Sequence, residues 1–341
     1  MIKRLHSPAY NFVGDSITGM TLRWGEIATH NPVQAPWPEL ADISISNYCT
    51  KGCDFCYRDS TAKGKLMSVE EYGHVLDELT HPEYGPVFQV ALGGGEPLEH
   101  PQFLEIIQTT VDKGIIPNFT TNGMPLTAET ASRLTGLVGA VAISAGSIRQ
   151  IDRSKLELLM DADIKANIHF VLSDSSIDDA VELLEGKHNE LLDGVNGLIF
   201  LTYKPRGRAG LENVLQMDER FHRFLSLAGD NRCQARIGFD ACFVPPLLHY
   251  TSINPDTVDS CECGFFSIYV DEHSTVKPCS FSNNDQYSYN LKELSFYEIW
   301  TEKLEGYRTG ILARQCTAEC ASRSNCRGTC PYYPALQFCS E

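Results

Sequence analysis

From residue 41 onward the chain alternates between short apolar-rich segments and amphipathic stretches of about 10–15 residues, and this rhythm restricts the fold more than any other feature. Ala41-Asp42-Ile43-Ser44-Ile45-Ser46 alternates as a half-buried strand does. The pattern then predicts a helix over 68–80, opened by Ser68 with Glu70 and Glu71 in its first turn. A strand over 87–92 follows, and a helix over 101–113 that starts at Pro101 and stops at Gly114. Strands over 115–120, 139–144, 164–171 and 197–203 come next, separated by helices over 127–135, 152–161 and 176–186. Six strand-then-helix steps imply a parallel sheet with right-handed crossovers. A helix over 216–228 and a strand over 236–239 lead out of it.

At 341 residues the chain suits one barrel-sized domain and a smaller one. Beyond Cys242 the texture changes to Pro245-Pro246, a Ser/Asn/Asp-rich stretch over 251–260 and a dense field of cysteines. The expected organisation is an irregular N-terminal extension over 1–40, a strand-and-helix domain over 41–232 and a cysteine-rich unit over 233–341. No apolar run reaches the roughly 18 residues of a membrane span, and Lys3, Arg4 and His6 have no apolar core behind them to make a secretory signal. The expected address is cytoplasmic, with no membrane partner. A formal net charge of −16 repels phosphate backbones and argues against nucleic acid as a partner. Lys204-Pro205-Arg206-Gly207-Arg208 is the local exception, read either as a loop that meets a carboxylate or phosphate or as a solvated turn.

The chain carries thirteen cysteines, an odd number without a secretory signal, which favours metal ligation over a disulfide framework. Cys49, Cys53 and Cys56 stand in a C-x3-C-x2-C run on the loop after the first strand. Three thiolates can hold three corners of a [4Fe–4S] cubane and leave the fourth iron open. A zinc knuckle is the competing reading, although neither a His nor a fourth Cys lies close in sequence after Cys56. Gly93-Gly94-Gly95-Glu96-Pro97 follows the second strand, where glycine lets the backbone approach a ligand closely or simply makes a tight turn.

The cysteine spacing, the aromatic Phe55 before Cys56 and the GGGEP segment together resemble the radical S-adenosylmethionine (SAM) superfamily. The resemblance implies an α/β fold built on a partial (β/α)6 TIM-like barrel, with the working loops at the C-terminal strand ends. It implies a [4Fe–4S] cluster with an open iron site on Cys49, Cys53 and Cys56, and SAM as cofactor. Phe55 and Tyr57 would line the adenine side, and Gly93, Gly94, Gly95 and Glu96 would bind the methionine amino group, a carboxylate suiting an ammonium. Asn122, Ser144 and Ser173 close the third, fourth and fifth strands and would touch the SAM carboxylate or ribose, unless they only satisfy turn backbone. The activity implied is reductive cleavage of SAM to a 5′-deoxyadenosyl radical that abstracts a hydrogen atom, with no catalytic acid or base identified.

Ten further cysteines lie between Cys233 and Cys339, and the last five form C-x3-C-x5-C-x3-C-x8-C. With a hairpin from Phe266–Val270 to Thr275–Pro278 ending at Cys279, the region resembles the SPASM domain, whose shorter form is called twitch; Leu294 to Arg308 resembles its linking helix. That resemblance implies one or two auxiliary [4Fe–4S] clusters. One would take Cys279 and Cys330 with two of Cys242, Cys261 and Cys263; the other would take Cys316, Cys320, Cys326 and Cys339. Structural zinc is the alternative. The position usually held by glycine five residues before the hairpin cysteine is Ser274 here. SPASM-like enzymes modify peptides and proteins, so the expected substrate is a ribosomally made peptide that gains a thioether or carbon–carbon crosslink, served by a flavodoxin- or ferredoxin-type reductant. A dehydrogenase of a Ser/Cys residue or a small alcohol, and a non-catalytic Fe–S or zinc scaffold, are the alternatives.

Overall fold

The computed structural model describes residues 2–314 and 326–339. Its centre is a ten-stranded sheet whose parallel part contains every strand anticipated between residues 41 and 239. Strand β4 (Leu40–Ser46) is typical: Ala41, Ile43 and Ile45 are wholly buried in the apolar core, so the alternate positions Asp42, Ser44 and Ser46 share the opposite, polar face.

Three antiparallel strands precede it, β1 (Ile2–Ser7), β2 (Tyr10–Asp15) and β3 (Thr21–Trp24). The irregular extension expected over 1–40 is thus corrected to a small sheet. Its buried Tyr10 and Phe12 alternate along β2, and Tyr10 Oη donates to Glu39 Oε1 at 2.6 Å. Arg23 joins this sheet to the C-terminal unit, pairing with Glu39 at 2.9 Å and Asp259 at 2.6 Å and lying 4.0 Å from the centre of the Phe266 ring.

Helix α1 (Val69–Glu78) begins at a reciprocal cap in which Ser68 and Glu71 satisfy one another's backbone N–H groups. A two-residue ladder, β5 (Thr80–His81) with β6 (Gly85–Pro86), leads to β7 (Gln89–Gly94) and α2 (Phe103–Asp112). The succession continues with β8 (Ile116–Thr121), α3 (Ala128–Leu134), β9 (Ala140–Ala145), α4 (Arg153–Asp161), β10 (Lys165–Leu172), α5 (Ile177–Leu184), the short α6 (Asn189–Leu192), β11 (Gly197–Thr202) and α7 (Glu219–Gly229). Thr127, Asp152 and Asp218 cap α3, α4 and α7 with side-chain oxygens. A seventh parallel strand, β12 (Arg236–Phe239), pairs with β11 before α8 (Val244–Tyr250).

The hairpin strands β13 (Ser267–Val270) and β14 (Thr275–Lys277), followed by β15 (Tyr289–Asn290), extend the same sheet. Its order is β12-β11-β10-β9-β8-β7-β4-β13-β14-β15, with β13 parallel to β4 and Tyr269 opposite Asp42. The C-terminal unit is therefore hydrogen-bonded directly to the first barrel strand. Helix α9 (Phe296–Glu298), a π-helical turn over Ile299–Lys303 and α10 (Glu305–Leu312) occupy the segment expected to be the linking helix. Trp300 anchors it, with Nε1 donating to Pro36 O at 3.1 Å. Among the described residues no helix is long and apolar enough to cross a membrane.

Candidate metal centre and cofactor site

The loop after β4 carries Cys49, Cys53 and Cys56, all half-buried free thiols. It folds back on itself: Cys49 N donates to Thr61 O at 3.1 Å, Cys56 N to Cys53 O at 3.3 Å and Ser60 N to Cys56 Sγ at 3.5 Å. Gly52, between the first two cysteines, has φ +66°, the left-handed conformation that glycine adopts without penalty. Arg208 holds the loop from outside, its Nε donating to Cys53 O at 2.9 Å and its Nη1 to Ser60 O at 2.9 Å and Asp59 at 2.8 Å. Gly207 beside it must lack a side chain, because a Cβ there would lie 2.4 Å from Cys56 O.

The glycine triplet ends β7 next to this loop. Gly95 N donates to Ser46 O at 2.7 Å and Glu96 N to Tyr48 O at 2.9 Å. A Cβ on Gly94 would meet Ser44 Oγ and Ser46 O at 2.1 Å each, and one on Gly95 would meet Tyr48 O at 2.0 Å. Gly93 differs, since nothing lies within 4 Å of its Cβ position. Two glycines thus let the chain pack on itself, and the third leaves open space.

Glu96 is buried and accepts from Thr121 Oγ1 at 2.7 Å, Asn122 N at 2.7 Å and Leu98 N at 3.1 Å. Burial pushes its pKa up, against those hydrogen bonds, which favour the charge. Asn122 Oδ1 accepts from Met124 N at 2.8 Å in a local turn. Ser144 is half-buried near the end of β9, paired in register with His169. Ser173 is buried, and its Oγ lies 3.0 Å from that of Ser176 and 3.1 Å from that of Ser175. The Phe55 ring is 3.5 Å from the Cβ position of Gly146, just beyond β9. The Tyr57 ring lies against Phe281 of the C-terminal unit, centroids 4.4 Å apart and planes tilted by 33°.

A second thiol site lies in that unit. Cys242 interacts electrostatically with Cys330, and Cys263 with both Cys261 and Cys279. These interactions, together with burial, push Cys242 and Cys263 up, while mutual interaction pulls Cys261 and Cys330 down, Cys330 to about 6. Five cysteines separated by up to 88 positions (330 − 242) are thereby brought together, including all three from which two partners of Cys279 and Cys330 were to be drawn. Lys204 and Arg327 supply positive charge there: Lys204 favours the thiolates of Cys242 and Cys330, and Arg327 that of Cys261. Cys316 and Cys320 lie outside the described residues; Cys326 and Cys339 lie within them, with Cys326 Sγ accepting from Gly328 N at 3.3 Å and Cys339 buried.

Arginine and lysine contacts are what the sequence reading missed. The basic loop is neither an external anion site nor a solvated turn. Lys204 is buried, Arg206 Nη1 donates to Ser280 O at 2.7 Å, and Arg208 grips the first cysteine loop. Arg58 pairs with Glu272 on the β13–β14 turn, which also accepts from Ser44 Oγ at 2.9 Å. The cue available in sequence was a run of cations in an otherwise acidic chain, one that has no solvent-facing purpose.

A family model described as "Radical SAM superfamily" matches residues 43–185, which contain the first cysteine loop and the GGGEP segment. Residues 43–185 of this chain form a radical SAM domain. Among curated proteins it is 28% identical to the PqqA peptide cyclase of Bradyrhizobium diazoefficiens over 130 residues, covering 34% of this chain and 33% of the cyclase. It is 34% identical to the mycofactocin maturase MftC of Mycobacterium tuberculosis over 88 residues, covering 25% of this chain and 22% of the maturase. The chain thus spans a third or less of the length of these relatives. Its fold is similar to that of Streptococcus suis SuiB bound to the precursor peptide SuiA, with TM-score 0.68 and 15% identity over 90% of this chain and 76% of SuiB.

The superfamily uses a [4Fe–4S] cluster and SAM, and the residues present fit both. Three free thiols share one braced loop, and open space lies at Gly93 beside the buried Glu96. The five gathered thiols fit a second cluster, because Fe–S ligands are deprotonated cysteines and the charges of Lys204 and Arg327 favour the thiolates of Cys242, Cys330 and Cys261. No three His, Cys, Asp or Glu side chains among the described residues are arranged to hold a single metal ion. A four-iron cubane spreads its ligands more widely than one ion does.

Proposed function

We propose that this chain is a radical SAM enzyme acting on a peptide or protein, in which it installs a thioether or carbon–carbon crosslink. The observation that carries the reading is the pairing of a three-thiol loop beside open space at Gly93 with a five-thiol site tied to it by one loop, residues 204–208. When bound, the cluster and SAM supply a carbon-centred radical able to take a hydrogen atom from an unactivated C–H bond. The chain's own residues then have distinct tasks. Cys49, Cys53 and Cys56 ligate three irons; Phe55 and Tyr57 border the adenine. Gly93, Gly94 and Gly95 admit the methionine end, and Glu96 faces its ammonium. Asn122, Ser144 and Ser173 orient the carboxylate and ribose. The polar face of the barrel sheet, with Asp42, Ser44, Thr120 and His169, receives the substrate segment.

In the C-terminal unit, Cys279 and Cys330 with two of Cys242, Cys261 and Cys263 hold an auxiliary cluster; Cys316, Cys320, Cys326 and Cys339 hold a further one. The names of two relatives support a peptide substrate, since one is a peptide cyclase and another binds a precursor peptide. A flavodoxin- or ferredoxin-type protein in the cytoplasm delivers the electron. Anaerobic incubation with SAM and dithionite tests the reading. 5′-Deoxyadenosine should accumulate with the parent chain and be absent with Cys53→Ala; equal yields from both would overturn it.

A further inference from the structure

The side chain of Lys204 is only 3% exposed, yet it carries a charge into the C-terminal thiol site. Its Nζ lies 2.6 Å from Asp240 Oδ2 and 3.0 Å from Thr202 O, and 4.4 Å from the centre of the Phe281 ring. Both anchors are two residues from a thiol of the site: Asp240 precedes Cys242, and Phe281 follows Cys279. Phe281 N donates to Cys279 Sγ at 3.3 Å. Asp240 is itself fixed, its Oδ1 accepting from Thr202 Oγ1 at 2.6 Å.

Burial works against the ammonium, but the Asp240 carboxylate 2.6 Å away favours it, so Lys204 stays protonated. In a buried site with little water, charges interact far more strongly than at the surface.

We infer that Lys204 is a positioning residue that raises the reduction potential of the cluster held by Cys279, Cys330 and two of Cys242, Cys261 and Cys263, with Asp240 as the opposing charge. The inference rests on the auxiliary cluster of the proposed function. Its redox step is a one-electron reduction by an external reductant, in which no bond breaks and no proton moves. The reduced cluster is one unit more negative than the oxidised one, so a fixed cation beside it stabilises the reduced state.

The test is a dithionite titration of the full-length chain under anaerobic conditions, followed by electron paramagnetic resonance. Cys49, Cys53 and Cys56 are replaced by Ala so that only C-terminal iron contributes. Lys204→Met should shift the oxidised-to-reduced ratio at a fixed poise about tenfold toward oxidised, about 59 mV for a one-electron couple. Asp240→Asn should shift it the opposite way, and Lys204→Arg should stay near the parent. A merely structural role for Lys204 would not give opposite signs. Iron is assayed first on every sample: a parent without C-terminal iron overturns the auxiliary-cluster reading and this inference with it. Iron-loaded samples in which Lys204→Met and Asp240→Asn leave the potential unchanged, or move it in one direction, overturn the inference alone. Should Lys204→Met lose its iron, a raised potential in Asp240→Asn with Lys204→Arg near the parent sustains the inference, and any other result overturns it.

Discussion

Glu96 accepts a hydrogen bond from Thr121 Oγ1 at 2.7 Å, tying the end of β7 to the end of the neighbouring strand β8. Its second oxygen takes the Asn122 N–H at 2.7 Å. Hydrogen bonds to a charged acceptor contribute about 1.5–3 kcal/mol each, and unpaired buried donors cost similar amounts. Glu96→Ala should therefore lower unfolding stability by about 3 kcal/mol as well as abolish SAM binding. Guanidinium titration of the anaerobic protein checks the first effect; an unchanged midpoint would show that Glu96 serves the ligand alone.

The glycines of one motif divide into two kinds. Gly93→Ala should fold with the parent's stability, because its Cβ position is open, yet bind SAM more weakly. Gly95→Ala drives a Cβ into Tyr48 O and should destabilise the chain by about 3 kcal/mol, the upper end of typical overpacking changes. Thermal unfolding and equilibrium SAM binding separate the two. Equal stability losses in both variants would contradict the division.

The strand-and-helix succession between residues 41 and 239 was legible because each segment agrees locally with its period and its caps. Ser68, Thr127 and Asp152 start their helices in the structure as their chemistry suggests. Cysteine spacing likewise revealed the first loop. Long-range charge pairing was not legible: nothing local in Lys204 or Arg58 announces that its partner is Asp240 or Glu272. The N-terminal sheet was missed because its strands are short and β1 alternates between exposed and half-buried positions, a weak signal without the core against which β2 packs. The pairing of β13 with β4 joins residues more than two hundred positions apart, beyond the reach of any pattern within a segment.

Ser274 turns a departure from the SPASM pattern into a measurable cost. It has φ +60°, a left-handed conformation in which its N–H donates to Asp271 O at 2.9 Å and its C=O accepts from Leu291 N at 3.0 Å. A non-glycine residue pays about 1–2 kcal/mol there, part of which glycine gives back through the entropy of the unfolded chain. Ser274→Gly should raise stability by about 0.5–1 kcal/mol, read as a higher urea midpoint with unchanged slope. A lower midpoint would mean that the buried hydroxyl contributes more than the strain costs.

His169 lies on β10 with Nδ1 3.0 Å from Thr120 Oγ1, and burial lowers its pKa to about 4. The unfolded chain, with an ordinary value near 6.5, binds this proton more readily than the folded one. The contribution is therefore present above about pH 6.5 and is lost as pH falls toward about 4. His169→Gln should unfold with a shallower pH dependence than the parent across that interval. Parallel denaturation curves at each pH would show that the ring is free to protonate in place.

Five thiols meet in the C-terminal site where a cubane takes four. Cys279→Ala and Cys330→Ala should each cost about four iron atoms on anaerobic reconstitution. Among Cys242→Ala, Cys261→Ala and Cys263→Ala, two should behave in the same way and one should retain full iron, its thiol being the spare. The spare is also the thiol whose loss leaves the cluster's electron paramagnetic resonance signal unaltered, which separates true redundancy from a site that reassembles with a substitute ligand. Retention of iron in all three variants would mean that the cluster is held elsewhere, and loss in all three would mean that the fifth thiol is structurally required.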